Sequence, residues 1–302
     1  MYCISTILFS SCLLLFSVQI SMSHLYPNDS VEGFEVNLKD YISKNAPSLH
    51  IMTPCLSTEC SIQYTMSLIQ TIDICRRFQV PVTATFETNE ATKCQAKNRM
   101  IAKAMANKET THFLLVDSNI QWNPLDVLKL LVGNKPFLAG ICPKGRYQWK
   151  RLTETPERLN AILQKSTQHE ILKPIPDVIM LQSNLMDYNV SFMGTHLSIQ
   201  NNMVEVDTIS SQFLMLKREV FEKMSVAFPS SKYSVREYNE TENEYLYAYF
   251  NTTVEEGGFY DEDMVFGKKW KNMDGEIFAD LSIQLSVVQK EVFAGQCISA
   301  IL

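Results

Sequence analysis

The stretch Thr111–Asp126, THFLLVDSNIQWNPLD, constrains the fold of this chain more than any other. His112 to Val116 reads as a buried strand, a short apolar run bounded by turn residues. Asp117-Ser118-Asn119 then sits where that strand ends. In open α/β sheets the crevice outside the carboxyl ends of the strands is where ligands bind. Oxygen-bearing side chains there can hold a hard divalent cation or a sugar hydroxyl. A plainer reading competes, in which Asp117 and Asn119 make an Asx turn for local reasons. Asn123-Pro124-Leu125-Asp126 has the form of a helix start, with Asn as cap and Pro at the first helical position.

The N-terminal segment is different in kind. From Ile4 to Ile20 no residue is charged, and Ser21 and Ser23 follow before polar sequence begins at His24. That is the shape of a signal peptide over residues 1–23. An uncleaved anchor is the competing reading, because the run approaches the ~17–25 residues that span a bilayer. A membrane partner is expected only in that case. No Lys or Arg precedes Lys39, so flanking charge gives no support to a cytoplasmic N-terminus. Sequons at Asn28, Asn189, Asn239 and Asn251 agree with passage through the secretory pathway and mark candidate N-glycosylation sites. Beyond the signal segment stand Cys55, Cys60, Cys75, Cys94, Cys142 and Cys297. An oxidising compartment allows them to form disulfides, with connectivity open, and Cys55 and Cys60 are near enough to bridge a tight loop. Buried thiols are the plainer alternative. The spacings lack the paired pattern of a zinc site. With a net charge of −6, nothing suggests a nucleic-acid partner.

Residues 24–48 read as a stem and 49–302 as one α/β domain. Leu49–Met52 is a first strand. Gln63–Phe78 carries a helical stripe, Val80–Phe86 a second strand, and Ala96–Ala106 another amphipathic helix. The organising strand comes next, then a helix from Pro124 to about Val132 and a strand at Phe137–Cys142. Such alternation argues for a largely parallel sheet flanked by helices. From Gly145 to Ser198 the signals weaken, with one helix opening at Thr155-Pro156-Glu157. Asn201-Asn202 suits a hairpin turn. Phe213–Leu216 is a strand feeding a helix at Arg218–Met224. The polar, Tyr- and Glu-rich segment Tyr233–Glu256 reads as an exposed excursion. Asp261 is placed to cap a helix that opens with Glu262 and Asp263, and Asp274-Gly275 turns the chain into Ile277-Phe278-Ala279.

Taken in order, THFLLVDSN, NKPFLAGICPKGRYQW, VEVDTISSQFLMLKREVFEKM and FYDEDMVFGKKWKNMDGEIFADLSIQL make this chain resemble a GT-A fold glycosyltransferase of family 2-like type. The resemblance spans roughly Leu49 to Gly295 and rests on the strand ending in an Asp-x-Asp-like motif and the E-D-x-x-F segment. It implies a mixed, mostly parallel sheet flanked by helices. It also implies that Asp117 and Asn119 hold a nucleotide-sugar diphosphate through a divalent metal, Mn²⁺ or Mg²⁺. Lys97 and Asn98 would lie near the nucleotide. Asp263, with Glu262 beside it, would be the base that deprotonates the acceptor hydroxyl. A departing diphosphate needs charge neutralisation, and an incoming hydroxyl needs a base within hydrogen-bond reach.

Three departures weaken the expected metal site. Asn119 replaces the second Asp, and a divalent ion's affinity depends on ligand charge. No His stands in Leu285-Ser286-Val287-Val288-Gln289, where relatives often supply a ligand. Ser210-Ser211-Gln212-Phe213 replaces a Gly-containing loop. His112, His169 and His196 show no ligand spacing. Trp122, Trp149 and Trp270 read as packing residues, with Trp149 also a candidate wall of a sugar pocket. Two functions follow from the resemblance. One is a secretory-pathway glycosyltransferase acting on a nucleotide-sugar donor and a glycan or glycoprotein acceptor. The alternative is a catalytically inactive GT-A-like module that binds glycan or a partner protein.

Overall fold

All five residues of His112–Val116 (β3) are buried, and they divide between the two faces of the sheet. Leu114 and Val116 join one hydrophobic cluster, while Phe113 and Leu115 join the other. That alternation is the period of two expected of a strand covered on both sides. In the computed structural model, residues 31–55, 59–88, 90–153, 157–168, 172–173, 175–194 and 197–290 are described. The signal segment 1–23, the sequon at Asn28, Cys297, His169, His196 and Thr155-Pro156 lie outside them. Among the described residues no helix is long and apolar enough to cross a membrane.

In chain order the elements are α1 (Val31–Asn45), β1 (Leu49–Cys55), α2 (Ile62–Arg77), β2 (Val82–Thr88), α3 (Lys93–Ala106), β3, β4 (Ile120–Gln121), α4 (Pro124–Gly133), β5 (Phe137–Gly140) and β6 (Pro143–Tyr147). The second half continues with α5 (Arg158–Gln168), α6 (Asp177–Leu185), β7 (Met186–Tyr188), β8 (Val190–Phe192), β9 (Ile199–Gln200), β10 (Met203–Ile209), β11 (Phe213–Lys217) and α7 (Arg218–Ala227). Then come α8 (Glu240–Glu244), β12 (Thr253–Glu255), β13 (Gly258–Tyr260), α9 (Glu262–Lys271), β14 (Phe278–Asp280) and β15 (Ser286–Val287).

The main sheet has the order β2-β1-β3-β11-β5-β14-β10-β8, with β9 also on β10. β1 pairs in parallel with β2 and β3, and β14 in parallel with β5. β11 enters between β3 and β5 antiparallel to both, with Phe213 opposite Val116 and Leu216 opposite Phe137. β10 is antiparallel to β14, β8 and β9. The sheet is therefore mixed, and all its strands except β11 and β10 point the same way.

Helices cover both faces. α1, α2 and α4 press Leu38, Tyr64 and Leu128 into one cluster. α3, α7 and α9 press Met100, Phe221 and Phe266 into the other. Local chemistry sets the ends of these helices. Ser61 accepts from Tyr64 N at 3.0 Å at the start of α2. Asn123 Oδ1 accepts from Leu125 N at 3.1 Å at the start of α4, which ends on Asn134 in the left-handed region.

Two parts differ from the sequence reading. Within the expected stem, Val31–Asn45 is a helix whose Phe34, Leu38 and Tyr41 are buried in the core. Their spacing of four and three residues lines up one helical stripe, and Tyr41 Oη lies 3.2 Å from His112 Nε2. The segment Tyr233–Glu256 is anchored rather than exposed, with Leu246, Tyr249 and Phe250 buried. Its Glu242 joins Glu87 and Glu90, from the end of β2 and the loop after it, in answering the cations of α3. Arg99 meets Glu87, Glu90 and Glu242 at 3.1, 3.0 and 3.4 Å, and Tyr238 stacks on the Arg99 guanidinium at 4.1 Å.

Candidate functional site

The site is built where α3, the end of β3, the Ser210–Gln212 turn and the start of α9 meet. Thr92 caps α3 by accepting from Gln95 N at 3.2 Å, which fixes Lys93 at the first helical position and Lys97 one turn on. Cations at a helix N-terminus oppose the helix dipole, so their counter-charges must come from elsewhere in the fold. Asp117, the first residue after β3, is one. Lys93 Nζ lies 3.0 Å from its Oδ2, and its own N–H donates to Gln212 O at 3.1 Å.

Asp261 caps α9, accepting from Met264 N at 2.9 Å, and so sets Glu262 and Asp263 in the first turn, where anions are favoured. Lys97 Nζ reaches Asp263 Oδ1 at 2.9 Å and Glu262 Oε1 at 3.2 Å. Lys97 and Asp263 are 166 residues apart in sequence, and Lys97 is only 2% exposed. Ser211 donates to Asp263 twice, from its N–H to Oδ2 at 3.0 Å and from its Oγ to Oδ1 at 2.6 Å. Its neighbour Gln212 turns toward Asp117, with Nε2 at 3.5 Å from Oδ2. Consecutive residues of one turn thus contact Asp117 and Asp263, which brings both carboxylates to one crevice. A cavity of about 570 Å³ opens beside them, with Lys93, Glu262 and Asn251 in its wall.

Burial pushes the Asp263 carboxyl up, but the Lys97 ammonium and the two Ser211 donors outweigh it and hold it below the usual carboxylate range. Burial pulls the Lys97 ammonium down, yet the Asp263, Glu262 and Asp117 carboxylates together raise it. Both groups are charged near neutral pH and hold each other. Cys142 and Cys94 flank the cluster as thiols pushed up by burial and by these carboxylates, so neither is an activated nucleophile. Cys55 Sγ and Cys60 Sγ stand 3.5 Å apart as free thiols.

Of the residues singled out in sequence, Lys97, Asp117, Glu262 and Asp263 come together. Asn98 is engaged elsewhere. Its amide is spent on the backbone of Phe250, donating to O and accepting from N, each at 2.9 Å. Asn119 lies at the rim, where its C=O accepts from Val288 N at 2.8 Å. Its Nδ2 points to Val288 O at 3.4 Å, and Val287 pairs with Ile120 beside it. These residues do not fit a resident divalent cation. Asp117 is engaged by an ammonium, Asn119 directs its amide to a carbonyl, and no three His, Cys, Asp or Glu among the described residues gather as ligands.

The sequon asparagines differ in setting. Asn189 Nδ2, the atom that would carry a glycan, donates to Gln212 Oε1 at 2.6 Å. Attachment there would place the glycan on an atom already bonded within the site. Asn239 is exposed and caps α8, accepting from Glu242 N at 2.8 Å. Asn251 accepts from Lys269 through Oδ1 on the cavity rim. Lys93 is the site residue that sequence reasoning did not select, while Asn189 reads only as a sequon and Ser211-Gln212 only as part of a changed loop. The i, i+4 spacing of Lys93 and Lys97 at a helix start was a usable signal for the first.

No family model and no curated protein matches the chain. Among solved structures it is similar to "Crystal Structure of A197 from STIV", at 10% identity and a TM-score of 0.39, over 80% of this chain and 86% of that one.

Proposed function

We propose that this is a glycosyltransferase-like protein of GT-A type in the secretory pathway lumen. It would transfer a sugar from a nucleotide-sugar donor to a glycan or protein hydroxyl. The observation that carries the reading is the meeting of Asp117 and Asp263 through Ser211 and Gln212, at the sheet edge where ligands bind in α/β folds. In this scheme Lys93 and Lys97 supply the positive charge that the diphosphate requires, and metal binding is weak. An arriving diphosphate competes for Lys97 and loosens it from Asp263. The freed carboxylate takes the acceptor proton as the acceptor oxygen bonds to the anomeric carbon. The bond from that carbon to the diphosphate breaks, and the nucleoside diphosphate departs with its electron pair.

A second reading, a catalytically inactive module that binds glycan or a partner protein, is favoured by two observations. Both Asp263 oxygens are already occupied, and a base held below its ordinary range is a poor one near neutral pH. Three carboxylates also outnumber two ammoniums in the cluster. Calorimetry of the purified full chain against uridine, guanosine and cytidine nucleotide-sugars, with and without Mn²⁺, separates the readings. The transferase reading expects saturable binding of one donor, lost in Lys97→Met and kept in Asp263→Asn, which abolishes turnover. Binding of none of them leaves the module.

A further inference from the structure

A second cavity, of about 680 Å³, is bounded by β6, β7 and the segment around β15. Although the chain carries 33 acidic residues against 27 Lys and Arg, among the described residues no Asp or Glu lines this cavity, whereas Arg146 and Lys290 do. Neither cation forms a salt bridge among the described residues. Its aromatic wall is Tyr147 and Trp149, whose ring centroids are 5.2 Å apart at a 46° tilt. Trp149 is 58% exposed. Gln182 and Gln289 add amides to the lining.

This wall is held in place before any ligand arrives. Pro143 and Tyr147 of β6 pair with Tyr188 and Met186 of β7. Gln148 N donates to Leu185 O at 2.8 Å. Arg151 ties the next turn to the carbonyls of Asn184 and Met186 at 3.3 and 3.2 Å, and to the Asp187 carboxylate. Gly145 adopts φ +66°, and a Cβ there would meet the Gln289 amide at 2.8 to 2.9 Å. Glycine therefore lets Gln289 lie against the strand and face the cavity. A rigid wall loses little entropy on binding.

We propose that this groove binds a saccharide bearing an anionic group, a carboxylate or a sulfate. The apolar C–H face of a pyranose covers the exposed Trp149 ring and the half-buried Tyr147 beside it. The ring hydroxyls meet the two glutamine amides, and the anionic group meets the Arg146 fork, whose geometry matches an oxyanion. Aromatic walls with a few placed polar groups are what small-ligand sites use. Val287 lines the groove and pairs with Ile120 beside Asn119, so the saccharide's end lies next to the carboxylate cluster. Only its role as sugar acceptor rests on the transferase reading above.

Calorimetry of the full chain with three tetrasaccharides tests this: chondroitin, chondroitin 4-sulfate and neutral chitotetraose. The expected result is that at least one acidic tetrasaccharide binds roughly tenfold or more tighter than chitotetraose, and the two acidic probes show which anion is preferred. Arg146→Gln should bring acidic and neutral affinities within about twofold of each other while leaving chitotetraose unchanged. Trp149→Ala should weaken all binding by about tenfold. Both side chains are exposed, so both variants should keep the native near-UV circular dichroism. Equal affinity for charged and neutral probes, indifference to Trp149→Ala, or no saturable binding of any probe overturns the proposal. Asp263→Asn should leave tetrasaccharide binding intact. Failure of every nucleotide-sugar with retained tetrasaccharide binding removes the transferase reading alone.

Discussion

Asn98 and Phe250 exchange two hydrogen bonds of 2.9 Å across 152 residues of sequence. Both partners are buried, and Lys97 Nζ sits 4.9 Å from the Phe250 ring centre. Replacing Asn98 by Ala leaves a buried N–H and a buried C=O without partners, each costing about 1–3 kcal/mol. Asn98→Ala should therefore lower stability by about 2–4 kcal/mol in urea unfolding while leaving the affinity of any bound nucleotide-sugar unchanged. A loss of affinity with unchanged stability would return Asn98 to the nucleotide site. His112 makes a separate prediction about pH. Burial, with Lys217 nearby, lowers its pKa from 6.5 to about 4, and its ring meets Tyr41 Oη and Thr111 Oγ1. Between those values the unfolded chain binds the extra proton, so stability falls as pH falls from about 6.5 to about 4. The loss reaches about 3 kcal/mol at the lower end. Urea midpoints measured across that window should decline, and His112→Gln should flatten the part of the decline that His112 causes.

Short buried strands and capped helices were the legible elements. The sequence range His112–Val116 is the observed β3. The Asn123 cap, the Asp261 cap and the Asn201-Asn202 turn, with φ of 51° and 62°, follow from local chemistry. What was not legible depends on partners distant in sequence. Nothing in Phe213–Lys217 says that β11 inserts between β3 and β5. Nothing in Ser211-Gln212 says that its donors meet Asp263 and Asp117, since those bonds exist only once β11 is in place. Nor does the polar sequence of α1 reveal that its one stripe closes the core. Here a truncation is decisive. Leu38 is 0% exposed and Phe34 8%. Leu38→Ala should cost about 2–5 kcal/mol. A chain beginning at Pro47 should lose on the order of 5 kcal/mol or fail to accumulate as folded protein. Equal urea midpoints for the truncated and full chains would make residues 31–45 the stem that their position suggested.

Across the whole molecule, net charge is −6, yet the candidate site is not a simple acidic basin that would attract a divalent cation. Lys93 lies on Asp117 at 3.0 Å, and Asn119 brings no negative charge. Each change works against a cation by direct Coulomb energy, up to roughly 4 kcal/mol per charge at ~4 Å and an effective dielectric near 20, before water compensates. Even a third of that amounts to about a tenfold change in affinity. The native chain should therefore bind Mn²⁺ weakly. Lys93→Met should strengthen binding by removing the competing ammonium, and Asn119→Asp by restoring a ligand charge. The double variant should exceed either single change by about tenfold or more, because one carboxylate is freed beside another newly made. Mn²⁺ titrations followed by calorimetry on the four chains check this directly. Tight Mn²⁺ binding by the native chain would mean that Lys93 yields Asp117 readily and that Asn119 serves as a ligand through its carbonyl. A double variant no better than the native chain would mean that the crevice at the end of β3 lacks the geometry for a cation whatever its charge, and would favour the binding-module reading.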